Sequence, residues 1–195
     1  MNDKLTEQDL QYIAEKLQVE VAALKAVQQV ETGGRGGFLA PGKPVILFEG
    51  HIFWRRLKEK GMNPESYACG NEDILYPKWE KRYYKGGIRE YDRLEKARNI
   101  DREAADASTS WGMFQIMGAN YVVCGCSSVE EFVRAMCESE KKQLELAAEF
   151  IKRGGMLSAL QNKNWAEFAR QYNGAAYREN MYDRKLEKTY IKYRL

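Results

Sequence analysis

The segment Val27-Gln28-Gln29-Val30-Glu31-Thr32-Gly33-Gly34-Arg35-Gly36-Gly37 leaves a chain few options. Val21, Leu24, Val27 and Val30 recur at three-residue intervals, which places them on one face of a helix. That helix cannot run on through the glycines, whose backbone readily takes the left-handed geometry that ends one. Glu31 therefore falls in a last helical turn, at the mouth of a glycine loop. The partial negative charge of a helix C-terminus disfavours the ionised carboxylate there, and burial would raise its pKa further. A general acid working near neutral pH needs such a group, and the glycines let a bulky substrate approach the backbone. An ordinary surface glutamate ahead of a glycine cap accounts for the same residues.

Around this segment the pattern is helical. Thr6 with Asp9 three residues on marks a helix start, and Leu10, Ile13, Ala14 and Leu17 form its buried face. Phe38 to Pro44 is a turn region, Val45-Ile46-Leu47-Phe48 is β-prone, and the chain turns helical from Glu49 to Leu57 before stopping at Gly61. A looser region follows to Gly87, with Tyr67, Tyr76, Trp79, Tyr83 and Tyr84 set among Lys78, Lys81, Arg82 and Lys85. These aromatics are expected to pack as a small sub-core; stacking on sugar rings or bases is the alternative. One long charged helix is expected from Ile88 to Ala107. Ser128 and Glu131 form a capping box for a helix carried on through Phe132, Met136, Leu144 and Ile151 to Gly154-Gly155. Shorter helices follow around Leu157–Gln161 and Trp165–Tyr172, and Asn173-Gly174 breaks the chain. A last helix puts Tyr182, Leu186, Tyr190 and Tyr193 on one face. The expected fold class is mainly α with at most a small β element.

Neither a staple nor a metal is required. A chain of 195 residues can bury about 70% of its unfolded surface. Cys69, Cys124, Cys126 and Cys137 lack metal-ligand spacing and have no histidine near them, so reduced thiols are the simplest reading. The polar start Met1-Asn2-Asp3-Lys4-Leu5-Thr6-Glu7 has no apolar core for export, and no run is long enough to span a membrane. The net charge of +3 is uneven, with six Lys/Arg against three Asp/Glu in residues 176–195. Such a basic end suits anionic partners, although a solvated face is its default meaning.

Two further stretches could carry chemistry. In Ser110-Trp111-Gly112-Met113-Phe114-Gln115-Ile116-Met117-Gly118 the single long polar side chain is Gln115. On an apolar cleft floor its amide offers donors and an acceptor to an N-acetyl group or a sugar hydroxyl; inside a core it would merely satisfy backbone groups. Tyr172-Asn173-Gly174 sets two polar side chains beside a backbone break.

In this order, the pieces resemble the lysozyme-like superfamily, which includes goose-type lysozymes and soluble lytic transglycosylases. The nearer resemblance is to the N-acetylmuramidase family of bacteriophage endolysins, in Glu31-Thr32-Gly33-Gly34, Ile46 to His51, Ser110 to Gly118 and Tyr172-Asn173-Gly174. It spans nearly the whole chain, so residues 1–195 are expected to be a single lysozyme-like domain with no separate wall-binding module. Thr32 stands where many relatives have Ser, which keeps the hydroxyl. The resemblance implies that Glu31 is the catalytic acid acting on the bond after N-acetylmuramic acid. It implies that Ser110 and Gln115 hold an N-acetyl sugar while Tyr172 and Asn173 line the cleft. The implied partner is the peptidoglycan glycan strand, acted on by a monomer with no metal, cofactor, nucleic acid or stable membrane insertion. Also implied is an enzyme held in the host cytoplasm until a membrane pore frees it to reach the wall.

Glycoside hydrolysis usually takes two carboxylates. Glu49 competes for the second place, although with His51 it reads more simply as a structural polar pair; Glu90, Asp92, Asp101, Glu103 and Asp106 are not separated by spacing. A single-acid route, in which the muramyl 6-hydroxyl attacks and a 1,6-anhydro end forms, needs no second carboxylate. A wall-binding protein without turnover, or a nucleic-acid binder using the basic last helix, are the readings from other classes.

Overall fold

The computed structural model describes residues 4–194, the side chains of residues 175 and 176 aside. The polar start read above for export therefore lies partly outside the described residues. Ten α-helices surround a small sheet among those described. Helix α1 (Glu7–Leu17) is capped as expected: Thr6 Oγ1 accepts from the Asp9 amide at 3.2 Å, and the Asp9 carboxylate accepts from the Thr6 amide at 3.0 Å. Helix α2 (Val21–Thr32) buries Ala23, Leu24, Ala26 and Val27 and ends at Gly33, whose φ of 57° is left-handed.

The turn region is a short hairpin of β1 (Phe38–Ala40) and β2 (Lys43–Pro44). Next, β3 (Ile46–Phe48) leads into α3 (Gly50–Glu59). Two strands from the second informative stretch, β4 (Thr109–Trp111) and β5 (Ile116–Met117), complete an antiparallel sheet in the order β3-β4-β5. Ile46 pairs with Trp111 and Trp111 with Ile116, so three apolar side chains lie side by side on the buried face. Phe48, Phe53, Leu57, Phe114, Phe132, Met136 and Phe168 fill the core around them.

Two expected helices are each divided. The 88–107 segment opens with a 3₁₀ turn, continues as α4 (Glu90–Arg98), breaks, and resumes as α5 (Arg102–Ala107). The break comes from Asp101, which takes an extended conformation and accepts from the Ala104 amide at 2.8 Å as the cap of α5. The helix from Val129 likewise divides into α6 (Val129–Met136) and α7 (Glu140–Arg153), because Ser139 caps α7 through the Lys142 amide. The expected capping box at Ser128 is half formed. Ser128 Oγ accepts from the Glu131 amide, but the Glu131 carboxylate turns back to the amide and hydroxyl of Ser127.

Helices α8 (Leu157–Gln161), α9 (Trp165–Asn173) and α10 (Tyr182–Arg194) close the fold. Helix α10 packs along α2 and α9, burying Leu186 and Tyr190. Glu20 ties the arrangement together, accepting from Tyr190 Oη at 2.6 Å and from Lys163 Nζ at 2.6 Å. Thus the helix that carries Glu31 is held on the side away from its open end. Among the described residues no helix is long and apolar enough to cross a membrane.

Candidate active site

Glu31 occupies the last turn of α2, half-buried, between the glycine loop and the C-terminal end of α9. Burial drives its carboxyl up to about 7, against a hydrogen bond from Asn173 that favours the charged form. The order of these effects follows from chemistry: one neutral donor cannot replace the water lost around a carboxylate. Two phenols also face it. The Tyr172 and Tyr182 hydroxyls are held above their usual range, first by burial and then by the charge of Glu31. Tyr172 is fixed in turn, donating to the Phe114 carbonyl at 2.9 Å.

Glu31 opens onto a cleft of about 470 Å³ lined by Thr32, Arg35, Gly36, Phe38, Leu39, Val45, Gly87, Gly112, Met113 and Gln115. Among the described lining residues Glu31 is the one carboxylate and Arg35 the one cation. A larger hollow of about 610 Å³ lies elsewhere, between α1 and the α6–α7 pair beside Cys124-Gly125-Cys126. It holds none of the motif residues, and its Glu131 is held below the ordinary carboxylate range by Ser127.

Gln115 sits in the turn between β4 and β5 with φ of 47°, an uncommon backbone for a side chain of its size. Both amide protons are used locally, on the Gly112 carbonyl at 2.8 Å and the Val45 carbonyl at 3.3 Å. Its Oε1 is the atom these bonds leave. Two side chains on α7 pin the cleft walls together. Gln143 Oε1 accepts from the Met113 amide at 2.8 Å while its Nε2 donates to the Gly37 and Met136 carbonyls. Glu140 Oε1 accepts from the Gly37 amide at 2.8 Å, and its Oε2 from the Leu5 amide at 2.9 Å. Glycine is required at this clamp: a Cβ on Gly37 would lie 2.2 Å from Gln143 Oε1, and one on Gly112 2.8 Å from the same atom.

Replacing Gln143 by Leu strands the Met113 amide and the Met136 carbonyl, while the Gly37 carbonyl keeps the Val45 amide at 2.9 Å, and should cost about 2–4 kcal/mol. Denaturant unfolding with an unchanged m-value measures it; a loss below about 0.5 kcal/mol would mean the clamp is dispensable.

The sequence candidates divide by position. Glu31 and Gln115 line the cleft, whereas Tyr172 and Asn173, expected to line it, neighbour Glu31 without entering the lining. Ser110 lies in β4 between Leu47 and Met117, half-buried and outside the lining. Glu49 immediately precedes α3 and accepts from Tyr84 Oη at 2.5 Å, with His51 Nδ1 at 3.5 Å. It follows Val45 by four residues, about 13 Å along an extended strand, and is not in the lining. Glu90 and Asp106 are buried against Arg93 and Arg98, while Asp101 and Glu103 share Lys60. Sequence reasoning passed over Glu140, Gln143 and Arg35. The signal for the first two was available: they stand on the helical face of Leu144, Ala147 and Ile151, where an apolar residue would otherwise be expected.

Helices around a small antiparallel sheet, with a cleft beside it, give the chain a lysozyme-like fold. A family model described as N-acetylmuramidase matches residues 20–194, and the chain belongs to that family of peptidoglycan-cleaving glycoside hydrolases. The crystal structure of Burkholderia AP3 phage endolysin is similar to it with a TM-score of 0.87 and 44% identity, over 97% of this chain and 71% of that one. No curated protein sequence matches the chain.

Proposed function

We propose that this muramidase is a phage endolysin that cleaves the β-1,4 bond between N-acetylmuramic acid and N-acetylglucosamine, with Glu31 as its general acid. The observation that carries the reading is the carboxyl raised to about 7 at the mouth of the cleft. Protonated near neutral pH, it gives its proton to the glycosidic oxygen as the bond to the muramyl carbon breaks; water adds to that carbon and its released proton restores the acid, leaving a reducing muramic end. Gln115 Oε1, left over by the turn, accepts from the substrate's acetamido N–H or a hydroxyl. Asn173 and Tyr172 hold Glu31 and the cleft wall in register, and Ser110 supports the strand beneath. In this reading the enzyme acts as a monomer, is made in the host cytoplasm and meets the wall after release.

A second reading has a specific observation in its favour. With one carboxylate in the described lining, attack by the muramyl 6-hydroxyl would give 1,6-anhydro ends, as in lytic transglycosylases. Mass spectrometry of fragments from purified peptidoglycan, with and without borohydride reduction, separates the two. Reducible muramic ends support hydrolysis; anhydro ends replace it with the transglycosylase reading.

Glu49 is the remaining candidate for a second catalytic carboxylate. Its bond to Tyr84 and its distance along β3 favour a positioning role, so Glu49→Gln should lower turnover less than about tenfold. A loss matching that of Glu31→Gln would make it a catalytic partner.

A further inference from the structure

The aromatic region before α4 is only partly the sub-core its composition suggests. Tyr76 is buried and stacks with Tyr83 at 4.7 Å, but Trp79 stays 59% exposed. An exposed indole usually turns with solvent; this one is held. Its ring meets the Tyr84 ring at 6.4 Å and 71°, and the Tyr84 hydroxyl donates to Glu49 at the head of α3. The ring is thus set against a side chain that is itself fixed, with more than half of its surface open to solvent. Lys78 and Lys81 beside it are exposed cations.

The same region runs into the cleft. Three residues after Tyr84, Gly87 lines the cleft, and Glu90 fixes the path by accepting from the Lys85 and Gly86 amides at 2.6 and 2.9 Å. Tyr84 and Gly87 are thus at most about 11 Å apart along the chain. We propose that Trp79 is a stacking platform for a sugar ring of the glycan strand beyond the cleft, so that the enzyme grips long strands better than short ones. Flat apolar sugar faces suit an oriented aromatic ring, and nearby lysines suit the carboxylates of the peptides that a wall glycan carries. This inference rests on the reading of the cleft as the glycan-cleaving site.

The test compares the wild type with Trp79→Ala and Trp79→Phe on purified glycan strands fractionated by length, together with tryptophan fluorescence on strand binding. For long strands Trp79→Ala should raise KM about tenfold with kcat retained, and Trp79→Phe should restore most of the loss. On the shortest cleavable strands the three proteins should have the same KM. The wild type should show a strand-induced fluorescence change that the Phe variant lacks. Equal KM values for long strands in all three proteins would overturn the platform. So would a drop in kcat alone, or an indole that responds to anionic phospholipid vesicles and not to glycan. Cleavage absent from the wild type while the fluorescence change persists would instead remove the catalytic reading and leave the binding site standing.

Discussion

Glu31→Gln should lower turnover on purified peptidoglycan by about 10²–10⁴-fold while leaving the fold intact. Gln keeps the shape and the hydrogen bond with Asn173 but has no proton to give. The wild-type rate should fall as pH rises through about 7, where the acid loses its proton. A stability signature separates this carboxyl from an ordinary surface glutamate. Its folded pKa lies above the ordinary value of 4.5, so between 4.5 and about 7 the folded chain binds more protons than the unfolded one. Stability contributed by Glu31 is therefore full below 4.5, declines through that window and stays low above it. The decline amounts to about 3 kcal/mol at most. Glu31→Gln removes it, and should melt higher than wild type at pH 8 and near wild type at pH 4. Near-normal turnover, or a lower melting temperature at pH 8, would sink the assignment.

Local signals in the sequence located the carboxyl at the cleft mouth and missed what holds its surroundings. The stripe ending in Val30 and the pair Gly33-Gly34 were legible because helix termination is a backbone property of a few consecutive residues. Both glycines do adopt left-handed geometry, with φ of 57° and 79°. The division of the 88–107 helix was harder to see. Tyr91, Leu94, Ala97, Ile100 and Ala104 keep an apolar rhythm across the break, and only the capping by Asp101 interrupts it. Ser139 hides the second division in the same way.

The polar positions on α7 were legible, but the partners they close onto were not, for a different reason. Gln143 meets Met113 and Gly37, thirty and 106 residues away, and nothing in its neighbours along the chain announces such partners. Gln115 was legible as a cleft residue, but not the expenditure of its amide protons on the Gly112 carbonyl of its own turn and the distant Val45 carbonyl. Trp79 was expected to pack with its neighbours. Composition cannot separate a buried aromatic from an oriented exposed one, because Trp79 rests on the Tyr84 ring and Tyr84 is fixed by a hydrogen bond to the distant Glu49.

Arg93→Met should lower stability by about 3–5 kcal/mol, the cost of leaving a buried carboxylate without its cation. Arg93 and Glu90 have fully buried side chains and meet at 2.8 Å. The guanidinium donates further to the Phe48 carbonyl at 2.9 Å, to the Asp73 carbonyl at 3.0 and 2.9 Å, and to Tyr76 Oη at 3.1 Å. It thereby joins β3 and the aromatic region to α4, a set of directions a methionine cannot supply and a lysine supplies only from a single point. For a chain of this length the melting temperature should drop by roughly 10 °C. Adding Glu90→Gln should recover part of the loss, because the stranded charge is then removed along with its partner. The damage should begin in the aromatic region, whose Lys85 and Gly86 amides depend on Glu90 and whose Asp73 carbonyl depends on Arg93. Limited proteolysis of Arg93→Met should therefore cut first between residues 70 and 88, before α2 or α7 is touched. A melting temperature within about 2 °C of wild type would show that packing alone holds this region against the sheet. First cuts elsewhere would separate the ion pair from the wall it is argued to hold.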